Sequence, residues 1–189
     1  MRRFLRKSSV GVEPLAVTMS GARLGERALQ IGIDRPDIVA AIAAKTGLTG
    51  LATIVVGDET AAGAARAAVA ETGALADVHV GPFHPLPFAD GAYDVIVLHG
   101  VGGLLSTTAP ELRERMLAEC RRVLRVGGRL VALEAGSPTG LRGLFGGARS
   151  DVKYEGAGGT KAALEAVGFR AVRTLGDGQG YRFIEALKA

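Results

Sequence analysis

With 189 residues, 48% of them hydrophobic and 22% charged, the chain has the size and balance of one globular domain with a full core. A single cysteine, Cys120, excludes an intramolecular disulfide and a multi-thiolate metal site. The net charge of +4 resides in residues 1–27, where Arg2, Arg3, Arg6, Lys7, Arg23 and Arg27 face only Glu13 and Glu26. The remainder is charge-balanced and the chain has no tryptophan, which argues against a nucleic-acid-binding face.

Residues 1–23 read as a basic arm and lead-in, and residues 24–189 as the folded domain. Arg2-Arg3-Phe4-Leu5 is superficially similar to a twin-arginine export motif. Glu13 and Pro14, however, interrupt the apolar core such a signal needs, and no small-residue cleavage site is evident. The plain reading of the arm is a solvated tail on a cytoplasmic protein. The sharper one is a docking element, by which the chain joins a protein complex or lies peripherally on an anionic membrane surface. No stretch is long and apolar enough to span a membrane.

Val10–Leu24 has no clear period and is expected to cross the domain as an irregular lead-in. Ala28–Ile33 is an apolar run of strand length, closed by a turn at Gly32. Pro36 suits a first helical turn, so Pro36–Thr46 reads as a helix ending at Gly47. Leu51–Val56 is a second strand, apolar on both faces as in a buried parallel sheet. Thr60–Thr72 is an alanine-rich helix, and Ala76–Val80 a short third strand. Pro82, Pro85 and Pro87 then break residues 81–91 into a loop.

Tyr93–His99 is the fourth strand. Pro110–Leu124 is an amphipathic helix with Leu112, Met116, Leu117, Cys120, Val123 and Leu124 on one face. Gly127-Gly128 is expected to end it before a fifth strand, Arg129–Glu134. Residues 136–159 hold eight glycines without a hydrophobic period and read as a loop. Thr160–Val167 is a last helix, and Val172–Leu175 with Tyr181–Leu187 are closing strands around Gly176-Asp177-Gly178. Strand–helix alternation with apolar strands predicts an α/β domain, its sheet covered on both faces.

Three segments carry a family resemblance. Leu86-Pro87-Phe88-Ala89-Asp90-Gly91-Ala92-Tyr93-Asp94-Val95-Ile96 is similar to the segment entering strand four of class I S-adenosylmethionine-dependent methyltransferases, nearest the ubiquinone and menaquinone biosynthesis type. Glu119–Leu130 resembles their helix, P-G-G turn and fifth strand, with Val126 where proline is common. Leu24–Leu29 leads into the first strand as theirs does. The resemblance covers roughly residues 24–187. It implies a Rossmann-like methyltransferase fold, a mostly parallel seven-stranded sheet with an antiparallel last strand.

The resemblance also implies S-adenosylmethionine as cofactor, with Gly32, Ile33, Asp34, Asp58, Glu59 and Phe83 as candidate cofactor-binding residues. The family's D-[IV]-G-x-G-x-G loop is here Gln30-Ile31-Gly32-Ile33-Asp34-Arg35-Pro36, with one glycine of three and an amide for the leading acid. A Cβ at the lost glycines crowds the backbone approach to a cofactor. Asp34 places a carboxylate at a helix N-terminus, where an anionic group would bind, and Asp34 or Asp37 can cap that helix. Asp58 occupies the position of the family's ribose-binding acid, or alternatively caps the next helix. The acid expected after strand three is absent from Gly81-Pro82-Phe83, although Phe83 can pack on a ring.

His99, at the end of strand four, is the candidate catalytic base or acceptor contact, against a structural polar role. The three histidines show no metal-ligand spacing. Within 136–159 the plain reading is a surface loop. The sharper one is a lid, with Leu141, Leu144 and Phe145 apolar and Arg142, Arg149 and Lys153 reaching an anionic group. Two functions remain open: a divergent or non-catalytic accessory or scaffold subunit, or an active methyltransferase for a small apolar acceptor.

Overall fold

A computed structural model describes residues 14–136 and 152–189. The basic segment 1–13 and the proposed lid residues Leu141, Arg142, Leu144, Phe145 and Arg149 lie outside the described residues. The elements run α1 (Leu15–Met19), β1 (Arg27–Ile31), α2 (Pro36–Lys45), β2 (Leu51–Val56), α3 (Glu59–Thr72), β3 (Asp77–Val80), β4 (Tyr93–His99) and α4 (Pro110–Val123). They continue with β5 (Leu124–Ala135), α5 (Val152–Gly156), α6 (Gly159–Ala166), β6 (Arg170–Gly178) and β7 (Tyr181–Leu187).

The sheet order is β3-β2-β1-β4-β5-β7-β6, parallel from β3 to β5, with β7 antiparallel to both of its neighbours. Strand alternation distributes the core between two faces. Leu29, Ile31, Ile96, Leu98, Leu130, Ala132 and Ile184 pack on α4 and α6 through Met116, Leu117 and Leu164. Ala28, Val95, Val97, Val131, Leu133 and Phe183 pack on α1 and α2 through Ala16, Val17, Ile38 and Ile42. Ile54 and Val56 meet α2 and α3 through Val39, Ala62 and Ala65.

Four expectations change. The lead-in contains α1, which forms because Ala16 and Val17 are buried against the sheet and the Leu15 N–H finds the Gln179 Oε1 at 2.9 Å. The fifth strand begins at Leu124, not after the glycine pair. Gly127 at φ +72° donates to the Lys188 carbonyl at 2.7 Å, and the Lys188 N–H donates to Gly128 at 3.0 Å, so the strand runs through both glycines. The closing hairpin turns at Gln179-Gly180, both with positive φ (52° and 83°), as a two-residue turn matched to strand twist requires. Part of the glycine-rich stretch is helical: α5 forms around Tyr154, which is buried with its ring 4.3 Å from the Arg113 guanidinium.

The proline-interrupted loop before β4 is held by Arg122 of α4. Its guanidinium donates to the Leu86 carbonyl at 3.0 Å, the Phe88 carbonyl at 2.8 Å and Asp90 at 2.7 Å. Glu119 pairs with Arg122 at 2.7 Å and accepts from the Leu86 N–H at 2.7 Å. Arg122→Ala leaves two loop carbonyls without their donor and should lower stability by about 1–3 kcal/mol in a urea titration. An unchanged midpoint would mean that the Glu119 bond and Leu86 packing fix the loop without the guanidinium.

Candidate functional site

The helix after β1 lies on one face of the sheet and the helix after the adjacent β4 lies on the other. Chain reversal at such a seam opens a crevice at the strands' carboxyl ends, where α/β sheets bind ligands. The crevice is closed at its centre by Asp34. One carboxylate oxygen accepts from the Val101 N–H at 2.8 Å and the other from the Gly102 N–H at 2.7 Å, tying the loop after β1 to the loop after β4. Burial raises the Asp34 carboxyl above its ordinary pKa, and the two N–H donors oppose that shift. Gly102 is part of the fit, because a Cβ there would stand 3.1 Å from the Asp34 Oδ1.

Asp34 therefore does not cap α2. The N-cap position is Arg35, without a side-chain cap bond, and Asp37 instead pairs with the Arg35 guanidinium on the surface. Gly32 owes its identity to the same seam. At φ +78° its missing Cβ would stand 3.2 Å from both the His99 carbonyl and a Leu104 methyl. Ile33 packs partly into the α2–α3 core.

His99 points under α2 rather than into the crevice. The residue is 3% exposed, and Nε2 stands 2.9 Å from the Gln30 Oε1, while the Gln30 Nε2 donates to the Val39 carbonyl at 2.9 Å. Because the Gln30 amide already donates to Val39, its oxygen must accept, which assigns the proton to the histidine Nε2. Burial pushes the His99 pKa down to about 4, so the ring is neutral near pH 7. The leading-acid position of the sequence motif is thus an amide bridging a strand and a helix.

The other candidate residues lie on the β2–β3 side of the seam. Asp58 at the end of β2 is exposed and accepts from the Ala61 N–H at 2.8 Å, capping α3. Glu59 pairs with Arg66 along the surface of α3 at 3.1 Å. Phe83 lies half-buried beside Gly57, whose added Cβ would reach the ring at 4.0 Å. Among the described residues, no group of three or more His, Cys, Asp or Glu is placed to hold a metal ion, and no helix is long and apolar enough to cross a membrane.

The structure thus brings Gly32, Asp34 and His99 to one seam and leaves Asp58, Glu59 and Phe83 on its β2–β3 side. It also brings in groups that sequence reasoning missed. Val101 and Gly102 act through backbone N–H groups, of which only the run of glycines at 100, 102 and 103 gives notice. Glu134 is the one charged residue closing the apolar run Leu130–Leu133. Thr160 Oγ1 donates to it, and the Tyr154 hydroxyl stands 2.7 Å from Thr160 Oγ1.

Strand order, layering and a ligand crevice at the β1–β4 seam define a Rossmann-like methyltransferase fold. The chain belongs to the methyltransferase-domain family, whose model matches residues 31–132, more than half its length. Among solved structures, it is similar to an S-adenosylmethionine-dependent methyltransferase from Aquifex aeolicus, with TM-score 0.72 and 18% identity over 92% of this chain and 87% of that one. The YcgJ protein of Bacillus subtilis is similar with TM-score 0.64 and 14% identity, over 92% and 96% of the two chains. The mitomycin 7-O-methyltransferase MmcR gives TM-score 0.66 and 21% identity over 92% of this chain, which spans about half (52%) of that longer protein. No curated protein sequence matches the chain.

The cofactor implied by the family, S-adenosylmethionine, meets a site that fits it at one end only. On the β2–β3 side Asp58 is an exposed acid and the Phe83 ring stands beside Gly57, whereas the Asp34 carboxylate stands at the central seam. A second carboxylate there would be repelled and would find the Val101 and Gly102 N–H groups already engaged.

The buried ring also sets a pH dependence. An unfolded histidine takes up its proton near pH 6.5, but His99 in the fold does so only at about 4. Stability therefore falls as pH drops through that window, by up to about 3 kcal/mol from this group. His99→Gln keeps a donor for Gln30 and removes the titration, so its urea midpoint should fall less between pH 6.5 and 4.5 than that of the parent. Equal slopes would show that the ring is not held neutral.

Proposed function

We propose that this protein is a divergent member of the methyltransferase family that acts as an accessory or scaffold subunit. It does not turn over S-adenosylmethionine. The observation that carries the reading is the Asp34 carboxylate shared by the Val101 and Gly102 N–H groups across the seam. It is supported by Gln30, whose amide serves the His99 ring and the Val39 carbonyl. The family's usual acid after β3 is also replaced by Pro82-Phe83.

A second reading, an active enzyme with a small apolar acceptor, draws support from the exposed Asp58 and the ring of Phe83 beside Gly57. Apolar contacts of this kind supply much of a ligand's affinity. Calorimetric titration with S-adenosylmethionine and S-adenosylhomocysteine separates the two. The scaffold reading expects no binding at millimolar ligand, and micromolar binding would overturn it. If the charge and bulk of the loop are the obstacle, Asp34→Gly with Pro36→Gly should gain affinity for S-adenosylhomocysteine by about tenfold or more, the size of one lost charge conflict. No gain would refute that mechanism.

The scaffold reading gives the basic N-terminal residues a role as docking element for an acidic partner or an anionic surface. Deleting residues 1–9 should release the protein from whatever it co-purifies with at low salt, and unchanged recovery would remove the role.

A further inference from the structure

The sheet ends in two edges that differ in kind. At one of them β6 shifts register against β7 twice, between Arg170 and Arg173 and between Thr174 and Gly176, and Ala171 sits at φ +50°. Irregularities of this sort keep a strand edge from pairing with another chain. At the other edge β3 pairs with β2 in unbroken register, from Thr53 opposite Asp77 to Val56 opposite Val80. Among the described residues no strand lies on its outer side.

One hydrogen bond fixes the phase of that edge. In a parallel ladder, alternate residues turn their backbone groups to opposite sides. The Gly81 N–H donates to the Val56 carbonyl at 3.0 Å, so Asp77, His79 and Gly81 face β2. The N–H and C=O groups of Val78 and Val80 therefore point outward. Side chains alternate as well. Val78 packs into the α2–α3 core, while Asp77 and His79 lie exposed on the opposite face, where the His79 ring meets Phe88 edge-on at 5.4 Å.

This edge is complementary to itself in one antiparallel register. With a two-fold axis at Val78, that residue exchanges both backbone hydrogen bonds with its own copy. Asp77 then stands opposite His79, a carboxylate acceptor against an imidazole donor, and the symmetry repeats the pair. Leu75, 64% exposed, falls opposite Gly81, where an added Cβ would meet nothing within 4 Å. A slide of two residues one way sets Asp77 against Asp77. A slide the other way sets His79 against His79 and brings Pro82, which has no N–H, opposite Ala76. The neighbouring helix α3 leaves Gly63, Ala67 and Ala70 exposed, side chains too small to obstruct a second copy.

We propose that β3 pairs antiparallel with β3 of a second copy of this chain, about a two-fold axis at Val78, joining two sheets into one. The paired segment is short beside the ~1,200–2,000 Å² of a stable interface, so the association is reversible. It rests on neither reading of the Asp34 seam.

The test is sedimentation of the full chain between about 10 μM and 1 mM, with amide hydrogen exchange at both ends of that range. Mass should rise toward twice 19.4 kDa, and the Val78 and Val80 amides should gain protection as it does. His79→Asp sets like charges opposite each other in both symmetric pairs and should weaken the dimer by about tenfold or more. Asp77→His with His79→Asp restores opposite partners and should recover it. Both positions are exposed, so these variants keep the fold. The proposal is overturned if the chain stays monomeric throughout, if it dimerises without protecting Val78, or if the double variant associates no better than His79→Asp. None of these outcomes bears on the S-adenosylmethionine titration, so the two proposals fail separately.

Discussion

The close approach of β1 to β4 is the constraint on which the rest of this structure depends. The two strands are hydrogen-bonded neighbours, yet their helices leave toward opposite faces, so the backbone must separate just beyond Ile31 and His99. Three contacts hold the seam at that point. Gly32 lets one chain pass against the His99 carbonyl, Gln30 joins the histidine ring to α2, and Asp34 joins the two loops. All three are polar or conformational and all sit at a sheet end. There, unpaired backbone groups would otherwise need water or a ligand.

In a fold built to receive a ligand at this point, the protein's own side chains fill the polar vacancies. A carboxylate takes the two free N–H groups that an incoming anion would need, and an amide replaces an acid. The result is a seam whose central polar groups satisfy one another.

Much of this was legible in the residues. Leu51–Val56 and Tyr93–His99 were readable to the residue, because fully buried parallel strands are continuous apolar runs bounded by glycine, charge or aromatic residues. Pro36 and Pro110 each mark a helix start, since proline costs little at a first turn. What was not legible depended on distant partners. The five-residue α1 has no useful period of its own and exists because the sheet buries it. Gly127 and Gly128 look like a stop signal, yet they continue a strand, because Lys188, far along the chain, supplies the hydrogen bonds.

The site follows the same division. The sequence by itself determined the class of fold, the place of the crevice, and the replacement of glycine by Asp34 and of an acid by Gln30, since these are matters of local pattern and residue type. Tertiary structure alone decided what those residues do. Asp34 reaches across 67 positions to the Val101 N–H, and on to that of Gly102, instead of capping its own helix. His99 turns beneath α2, because strand alternation places it on the same face as Val95 and Val97. Residue type states which bonds a side chain can make. Only the packed chain determines which partner lies within hydrogen-bonding reach of it.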